Sequence, residues 1–263
     1  MNDQYSNFRG FAIIPLPAFR DNYLWLLRRG DDAAVVDPGD AAVVEDYLAQ
    51  HGLELRAILL THHHPDHIGG VAELVAHRNI PVYGPAAAGI HETNRPVAEG
   101  DEVVLEQLGI RFHVLEVPGH TATHVAYFAP GILFPGDTLF SAGCGRLLGG
   151  TAAQLHHSLG RLAALPGETA VYCTHEYTLA NLAFAHAAEP ENRERDAWEA
   201  ECRALRDAGR PTLPSTIERE RRINPFLRTT ETAIVGTAAA HSGKRPETSE
   251  ECFAALRAWK DVF

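Results

Sequence analysis

The segment Thr61-His62-His63-His64-Pro65-Asp66-His67 constrains this chain more than any other. It directly follows Ala-Ile-Leu-Leu, and length and composition predict a buried strand over Arg56–Thr61. His62 and His64 are two residues apart, so in extended backbone they face the same side and His63 points away. Asp66 and His67 fall in the turn before a predicted helix, Gly69–Arg78. Four groups able to bind a metal therefore cluster at the carboxyl end of a strand, the edge where open α/β sheets place their sites.

Strand and helix patterns alternate on both sides of that segment. Phe11–Leu16, Tyr23–Leu27, Ala33–Asp37 and Ile80–Tyr83 read as strands, and Ala41–Gln50 as a helix stopped by His51-Gly52. Val103–Leu105, Arg111–Val117, Val125–Ala129 and Ile132–Phe134 are short and β-rich, with a tight turn at Ala129-Pro130-Gly131, which predicts antiparallel pairing. Thr151–Leu165 is helical with Leu155, Leu159 and Leu162 on one face, and Thr169–Cys173 is a strand again. From Leu179 the texture turns helical: Leu179–Ala188, then Glu191–Ala208 with Trp198, Cys202 and Leu205, a loop marked by Pro211 and Pro214, and Glu250–Trp259. The fold class expected is α/β, with one domain over 1–176 and a small helical domain over 177–263.

Three more polar clusters follow predicted strands: Pro118-Gly119-His120, Gly136-Asp137-Thr138 and Cys173-Thr174-His175-Glu176. Loops at one sheet edge converge on one point. Imidazole and carboxylate donors without a closing set of thiolates suit a divalent ion such as zinc, and also iron or manganese. The donors exceed four, which suits two ions. His62, His64 and His120 make one facial set, Asp66, His67 and His175 the other, and Asp137 is placed to bridge. Two ions about 3.5–4 Å apart hold one hydroxide and polarise a carbonyl, so no serine or cysteine nucleophile is required. The isolated His51, His77, His91, His113, His156, His157, His186 and His241 are read as ordinary surface or core residues, and His124 as a supporting group rather than a ligand.

Charge and cysteine usage narrow the partners. The formal net charge of −11 disfavours a nucleic-acid backbone, and no apolar run approaches the roughly 18–20 residues of a membrane span. Cys144, Cys173, Cys202 and Cys252 form no CxxC pair, which predicts a reducing compartment. Residues 1–10 lack the apolar stretch of a secretory leader. A cytoplasmic monomer acting on a small molecule is the expectation.

With its HxHxDH block and later His, Asp and His, the chain resembles the metallo-β-lactamase superfamily. Within it, Gly136-Asp137-Thr138-Leu139-Phe140-Ser141-Ala142-Gly143-Cys144-Gly145-Arg146, Thr174-His175-Glu176-Tyr177-Thr178 and Asn224-Pro225-Phe226-Leu227-Arg228 resemble the glyoxalase II family of hydroxyacylglutathione hydrolases. The resemblance runs from about residue 11 to Lys260-Asp261-Val262-Phe263. It implies an αββα sandwich with a helical C-terminal domain, two metal ions (zinc first), and hydrolysis of S-lactoylglutathione to lactate and glutathione, the last step of methylglyoxal detoxification. It implies the same ligand partition, His62, His64 and His120 for one ion, Asp66, His67 and His175 for the other, Asp137 bridging. On that reading Asp66 and Asp137 are expected as the catalytic carboxylates, with Asp66 also orienting the attacking water. Arg146, Tyr177 and Arg228 match the family's substrate contacts. Leu148 stands where some members have tyrosine, and Thr229-Thr230-Glu231 where some have a lysine soon after the arginine.

Rival readings are another hydrolase of this fold (a lactonase or β-lactamase), an iron persulfide dioxygenase, and a catalytically idle metal-holding protein. The helical extension 177–263 argues against the dioxygenase, and the completeness of the ligand set against the idle protein.

Overall fold

The structure, a computed structural model, describes residues 6–8 and 10–263, so the reading of residues 1–10 falls largely outside the described residues. A seven-stranded mixed sheet takes its strands in sequence order: β1 (Ser6–Phe8), β2 (Phe11–Ala18), β3 (Asn22–Arg29), β4 (Asp32–Val36), β5 (Glu54–Leu59), β6 (Val82–Pro85) and β7 (Arg95–Val97). The first four pair antiparallel through short turns, and β4 to β7 pair parallel. Parallel neighbours need crossovers. These are α1 (Ala41–His51) after β4, then α2 (Pro65–Ile68) and α3 (Val71–Val75) after β5.

Local signals set the limits of α1. Asp40 accepts from the Ala42 and Val43 amides, and Gly52 takes the left-handed conformation (φ 63°) that ends the helix. Val44 and Leu48 of α1 and Val71 and Leu74 of α3 pack with Leu24, Leu26, Val35 and Ile58 of the sheet. Trp25 and Leu27, on the opposite face of β3, are buried too, which is why that strand reads as a continuous apolar run.

The expected helix Gly69–Arg78 is shorter, Val71–Val75, and the turn expected before it is itself a short helix, Pro65–Ile68. At Gly70 the chain passes so close to α1 that a Cβ would lie 2.4 Å from the Ala41 nitrogen and 2.7 Å from the Pro38 carbonyl. The Gly70 amide donates to that same Pro38 carbonyl at 3.0 Å. Gly39 is as tight, since a Cβ there would meet the Asp66 carbonyl oxygen at 1.9 Å. Backbone cannot swing aside as a side-chain tip does. Gly39→Ala is therefore expected to lower the unfolding free energy by about 2–3 kcal/mol, measured by urea titration. A loss below about 0.5 kcal/mol, the usual surface range, would contradict this packing.

The second sheet has the order β15-β14-β11-β10-β9-β8. Its strands are β8 (Glu102–Leu105), β9 (Ile110–Glu116), β10 (Val125–Ala129), β11 (Ile132–Phe134), β14 (Ala170–Val171) and β15 (Ser215–Thr216). The expected antiparallel pairing holds for β8, β9 and β10, whereas β11 and β14 run parallel. β9 alternates as a half-buried strand should, with Ile110, Phe112 and Val114 inward and Arg111 and His113 outward. A two-stranded ribbon, β12 (Leu139–Phe140) and β13 (Gly143–Cys144), follows β11. Next comes α4 (Ala152–Ala163), opened by a Thr151–Gln154 capping box and burying Leu155, Leu159 and Leu162 as its spacing predicts.

The remaining helices are α5 (Thr178–Ala188), α6 (Arg193–Asp207), α7 (Ile217–Ile223), α8 (Thr232–Ser242) and α9 (Ser249–Asp261). Two features here depart from the sequence reading. β15 joins the sheet antiparallel to β14, and two residues are too few to show a period. α7 and α8 lie in a stretch to which the sequence reading assigned no element; α8 is rich in Ala, Thr and Gly and shows no clear apolar stripe.

The chain forms two compact units. One runs to Glu116 and takes in Thr123–Ala129 and Phe134–Gly136. The other comprises Val117–Ala122, Pro130–Leu133 and Asp137–Phe263. Among the described residues no helix is long and apolar enough to cross a membrane.

Candidate metal centre

The first donors grow out of β5. Its last hydrogen bonds carry Leu60 onto Tyr83 and Thr61 onto Asp37, leaving His62 buried at the strand end. Pro65 at the first position of α2 turns the chain, so Asp66 and His67 sit in the helix's opening turn. Asp37 organises this segment. Its buried carboxylate accepts from the Thr61 amide (2.8 Å), the Thr61 hydroxyl (2.7 Å) and His67 Nδ1 (3.0 Å). A carboxylate on Nδ1 places the proton there and leaves the His67 Nε2 lone pair for a ligand. His67 Nε2 lies 3.5 Å from Asp66 Oδ2, and Asn22 donates to that same oxygen at 3.1 Å. His62 Nε2 is 2.9 Å from His64 Nδ1, and the His124 ring stacks on His62 at 4.5 Å, the supporting place expected of it. His63 is exposed, as its position in the extended segment predicts.

The later donors follow β9, β11 and β14. His120 Nδ1 donates to the Arg146 carbonyl at 2.9 Å, so its Nε2 likewise carries the lone pair. Asp137 Oδ2 lies 3.6 Å from His120 Nε2 and 3.4 Å from His175 Nε2. Gly145 permits this approach, since a Cβ there would lie 2.1 Å from the Asp137 carbonyl and 3.1 Å from His120 Nδ1.

Three groups each offer one donor atom per residue, all within 4.8 Å of one another. They are His62, His64 and His120; His62, His67 and Asp137; and Asp66, His67 and His175. The first and third have the membership expected of the two facial sets, and the second groups Asp137 with one residue from each. Mostly buried imidazoles with inward-facing lone pairs, beside two carboxylates, fit divalent ions and would be costly to assemble for any other purpose. The four cysteines are buried, and burial pushes their thiols up, to about 12 for Cys202 and about 11 for Cys252. They are protonated at neutral pH and stand outside all three groups.

The expected substrate residues fare unequally. Tyr177 stacks flat on His175 (4.7 Å, 2° between planes) and is 37% exposed, so its ring adjoins the donors and reaches solvent. Arg146 is exposed, beside the carbonyl that orients His120. Arg228 has another partner. Its Nε and Nη2 grip both oxygens of Glu189 at 3.0 and 2.7 Å, and Nη1 donates to the Arg221 carbonyl. The fork expected to meet a substrate carboxylate meets Glu189 instead.

Two cations went unrecognised in the sequence. Arg257, 3% exposed, donates to the Cys144 and Gly145 carbonyls at 3.1 and 3.3 Å and to Asp261 at 3.0 Å. Lys260 donates to Asn181 Oδ1, and its ammonium lies 5.5 Å from the Phe184 ring centre. Burial, reinforced by Arg257 and Arg146 and opposed by Cys144 and Asp261, pushes Lys260 down to about 7. A sequence signal existed. Phe253, Leu256, Arg257 and Lys260 follow i, i+3, i+4, i+7 spacing, so both cations continue the apolar stripe of α9.

Comparison with known proteins identifies the family and the fold. A model described as metallo-beta-lactamase superfamily matches residues 19–175, and one described as hydroxyacylglutathione hydrolase C-terminus matches 176–263. A hydroxyacylglutathione hydrolase from Cupriavidus taiwanensis is 52% identical over 261 residues, covering 95% of this chain and 98% of the relative. Among solved structures, ETHE1 from Myxococcus xanthus is 26% identical with a TM-score of 0.64, over 96% of this chain and 98% of that one. TTHA1623, solved in a di-iron-bound form, is 30% identical with a TM-score of 0.58, over 81% and 100%. The structure thus has the metallo-β-lactamase fold with a helical C-terminal region, and the chain belongs to the hydroxyacylglutathione hydrolase family.

Proposed function

We propose that this protein hydrolyses S-(2-hydroxyacyl)glutathione thioesters, releasing lactate and glutathione from S-lactoylglutathione, at a dinuclear centre of His62, His64, Asp66, His67, His120, Asp137 and His175. The observation that carries the reading is the set of three overlapping donor groups, too many for one ion and suited to two. Zinc is the metal proposed, with iron or manganese accepted by the same donors. Two bound divalent ions supply an activated water and a Lewis acid for the thioester carbonyl.

The chain's own groups do the rest. Asp66, with 40% of its side chain exposed and one oxygen held by Asn22, orients the attacking water. Asp137 holds the two halves of the donor set in register. The leaving group is a thiolate whose conjugate acid has a pKa near ~8.5, so no strong general acid is needed. In this reading residues 1–176 carry the donors and 177–263 the helices that grip the glutathione. Tyr177 offers a hydroxyl beside His175. Arg146 and Lys260 are the cations offered to the carboxylates of glutathione, with the buried Arg257 holding the Cys144-Gly145 backbone. Arg228 contributes through its pair with Glu189.

Purified protein reloaded with zinc is expected to consume S-lactoylglutathione and to hold about two metals per chain by elemental analysis. Metal-loaded protein that leaves the thioester intact, or that consumes oxygen with glutathione persulfide, would overturn the reading.

Lys260 supplies a sharper check. Its depressed pKa means that the free enzyme loses this cation as pH rises through about 7. KM is expected to be flat below that pH and to climb above it. Lys260→Met should raise KM about tenfold at low pH and abolish the climb, with kcat changed far less.

A further inference from the structure

A carboxylate outside the donor set is buried against the ribbon that carries Asp137. Glu220 of α7 is 0% exposed. One oxygen accepts from the Ala142 amide at 2.8 Å and from Asn224 Nδ2 at 3.0 Å; the other accepts from the Ser215 hydroxyl. No cation pairs with it in any of these contacts, and burial pushes its carboxyl up while the hydrogen bonds oppose the shift. Such a group is costly to keep unless the structure uses its acceptors.

What it holds is strained. Ala142 sits at φ 54°, in the left-handed region that favours glycine. It occupies the turn between β12 and β13, and neighbouring helices bond to that turn at several points. Asn224 Nδ2 also donates to the Phe140 and Gly143 carbonyls at 3.2 and 2.9 Å. Asn181 Nδ2 donates to the Ser141 carbonyl at 2.9 Å, and Trp198 Nε1 to the Ser141 hydroxyl at 3.2 Å.

The two arms of the ribbon lead to the donors. The first arm starts just after Asp137. The second ends at Gly145 and Arg146, whose carbonyl takes the His120 Nδ1 proton. The Gly145 amide ties the arms together at the Thr138 carbonyl. Cys173, two residues before His175, also bonds to the Ser141 backbone. A shift of the turn would therefore move Asp137, the acceptor that orients His120, and the segment leading to His175.

We propose that Glu220, with Asn224, is a positioning residue that clamps the Ser141-Ala142 turn and through the ribbon sets Asp137 and His120 in their metal-binding geometry. The kinetic part of this inference rests on the thioester hydrolase reading; the metal-binding part does not.

The test uses the full chain as Glu220→Ala, Glu220→Gln and Glu220→Ala/Ala142→Gly, each reloaded with zinc. Metal per chain, kcat and KM on S-lactoylglutathione, and the melting midpoint of the metal-free protein are measured. Glu220→Ala should lose metal and drop about 10–100-fold in kcat, with KM within about twofold of the parent. Glu220→Gln should recover most of both, since its amide oxygen still accepts from Ala142 and its NH2 donates to Ser215. Ala142→Gly should also recover part of the loss, because glycine takes the left-handed conformation without a clamp. A purely structural role would lower the melting midpoint and leave the metal count and kcat of the folded protein alone, and that result would overturn the proposal. So would failure of both rescues. Should Glu220→Ala not fold, Trp198→Phe removes one donor from the same turn at small cost in volume. Its kcat and metal content should then fall about threefold, and parental values would overturn the proposal. A parent protein inactive on the thioester would sink the functional reading alone, because metal content still reports the clamp.

Discussion

Asp137→Ala is expected to lower kcat on S-lactoylglutathione about a thousandfold or more and to leave about one metal per chain or none. The side chain lies 3.4 Å from His175 Nε2 and 3.6 Å from His120 Nε2, and groups with His62 and His67 as well. In the proposed centre Asp137 would serve both facial sets, so its removal would take from each ion a carboxylate shared with the other. The mutant's residual metal, counted by elemental analysis, reports which set survives alone. Normal metal content with normal turnover would show that Asp137 does not bridge.

Asp37→Ala is expected to have the largest effect on stability. The carboxylate is buried and serves three donors, the Thr61 amide, the Thr61 hydroxyl and His67 Nδ1. Each orphaned buried donor costs about 1–3 kcal/mol, so the loss should reach about 3–5 kcal/mol. A domain of ordinary stability holds about 5–15 kcal/mol in total, so part of the population would be unfolded at growth temperature. Asp37 also sits at φ 51°, where alanine is less at ease than aspartate.

Asp37→Asn separates folding from metal binding. Asparagine tolerates the same backbone, and its oxygen still accepts from the Thr61 amide. Its NH2 then faces His67 Nδ1, which must become an acceptor. The proton moves to Nε2, the nitrogen directed at the donor cluster. The expected outcome is a folded protein, near the parent's melting midpoint, that binds metal about 10–100-fold more weakly. Equal metal affinity in the parent and Asp37→Asn would disprove the tautomer argument.

The legible and illegible parts of the site differ in kind. His62, His64, Asp66 and His67 were readable because six consecutive residues carry them and strand geometry fixes which way each points. His120, Asp137 and His175 were readable because each stands in a loop that follows a short apolar run. Arg257 and Lys260 escaped notice because charged residues on an amphipathic helix ordinarily face water; only the position of α9 shows that these two continue its buried stripe. Arg228 shows the converse, a residue expected as a substrate contact whose partner in the structure was not legible. Its motif marked it, but nothing local to residues 224–228 announces a bidentate partner at Glu189, 39 positions away. The late start of the expected helix, at Val71, needed the Pro38–Ala41 backbone, with which Gly70 shares no local signal.

By itself the sequence determined the α/β class, the helical texture beyond residue 177 and a set of candidate donors, since hydrophobic period, caps and ligand chemistry act over a few residues at a time. Tertiary structure alone decided which nitrogen of His67 and His120 donates to the protein, that Arg257 and Lys260 are buried against the Cys144 and Asn181 segments, and which side chains hold the Ala142 turn. Those outcomes depend on hydrogen bonds that span up to 113 positions of chain, from Arg257 to Cys144. A bond of that reach exists only after the backbone has been folded by forces indifferent to it, so no local pattern has to record it.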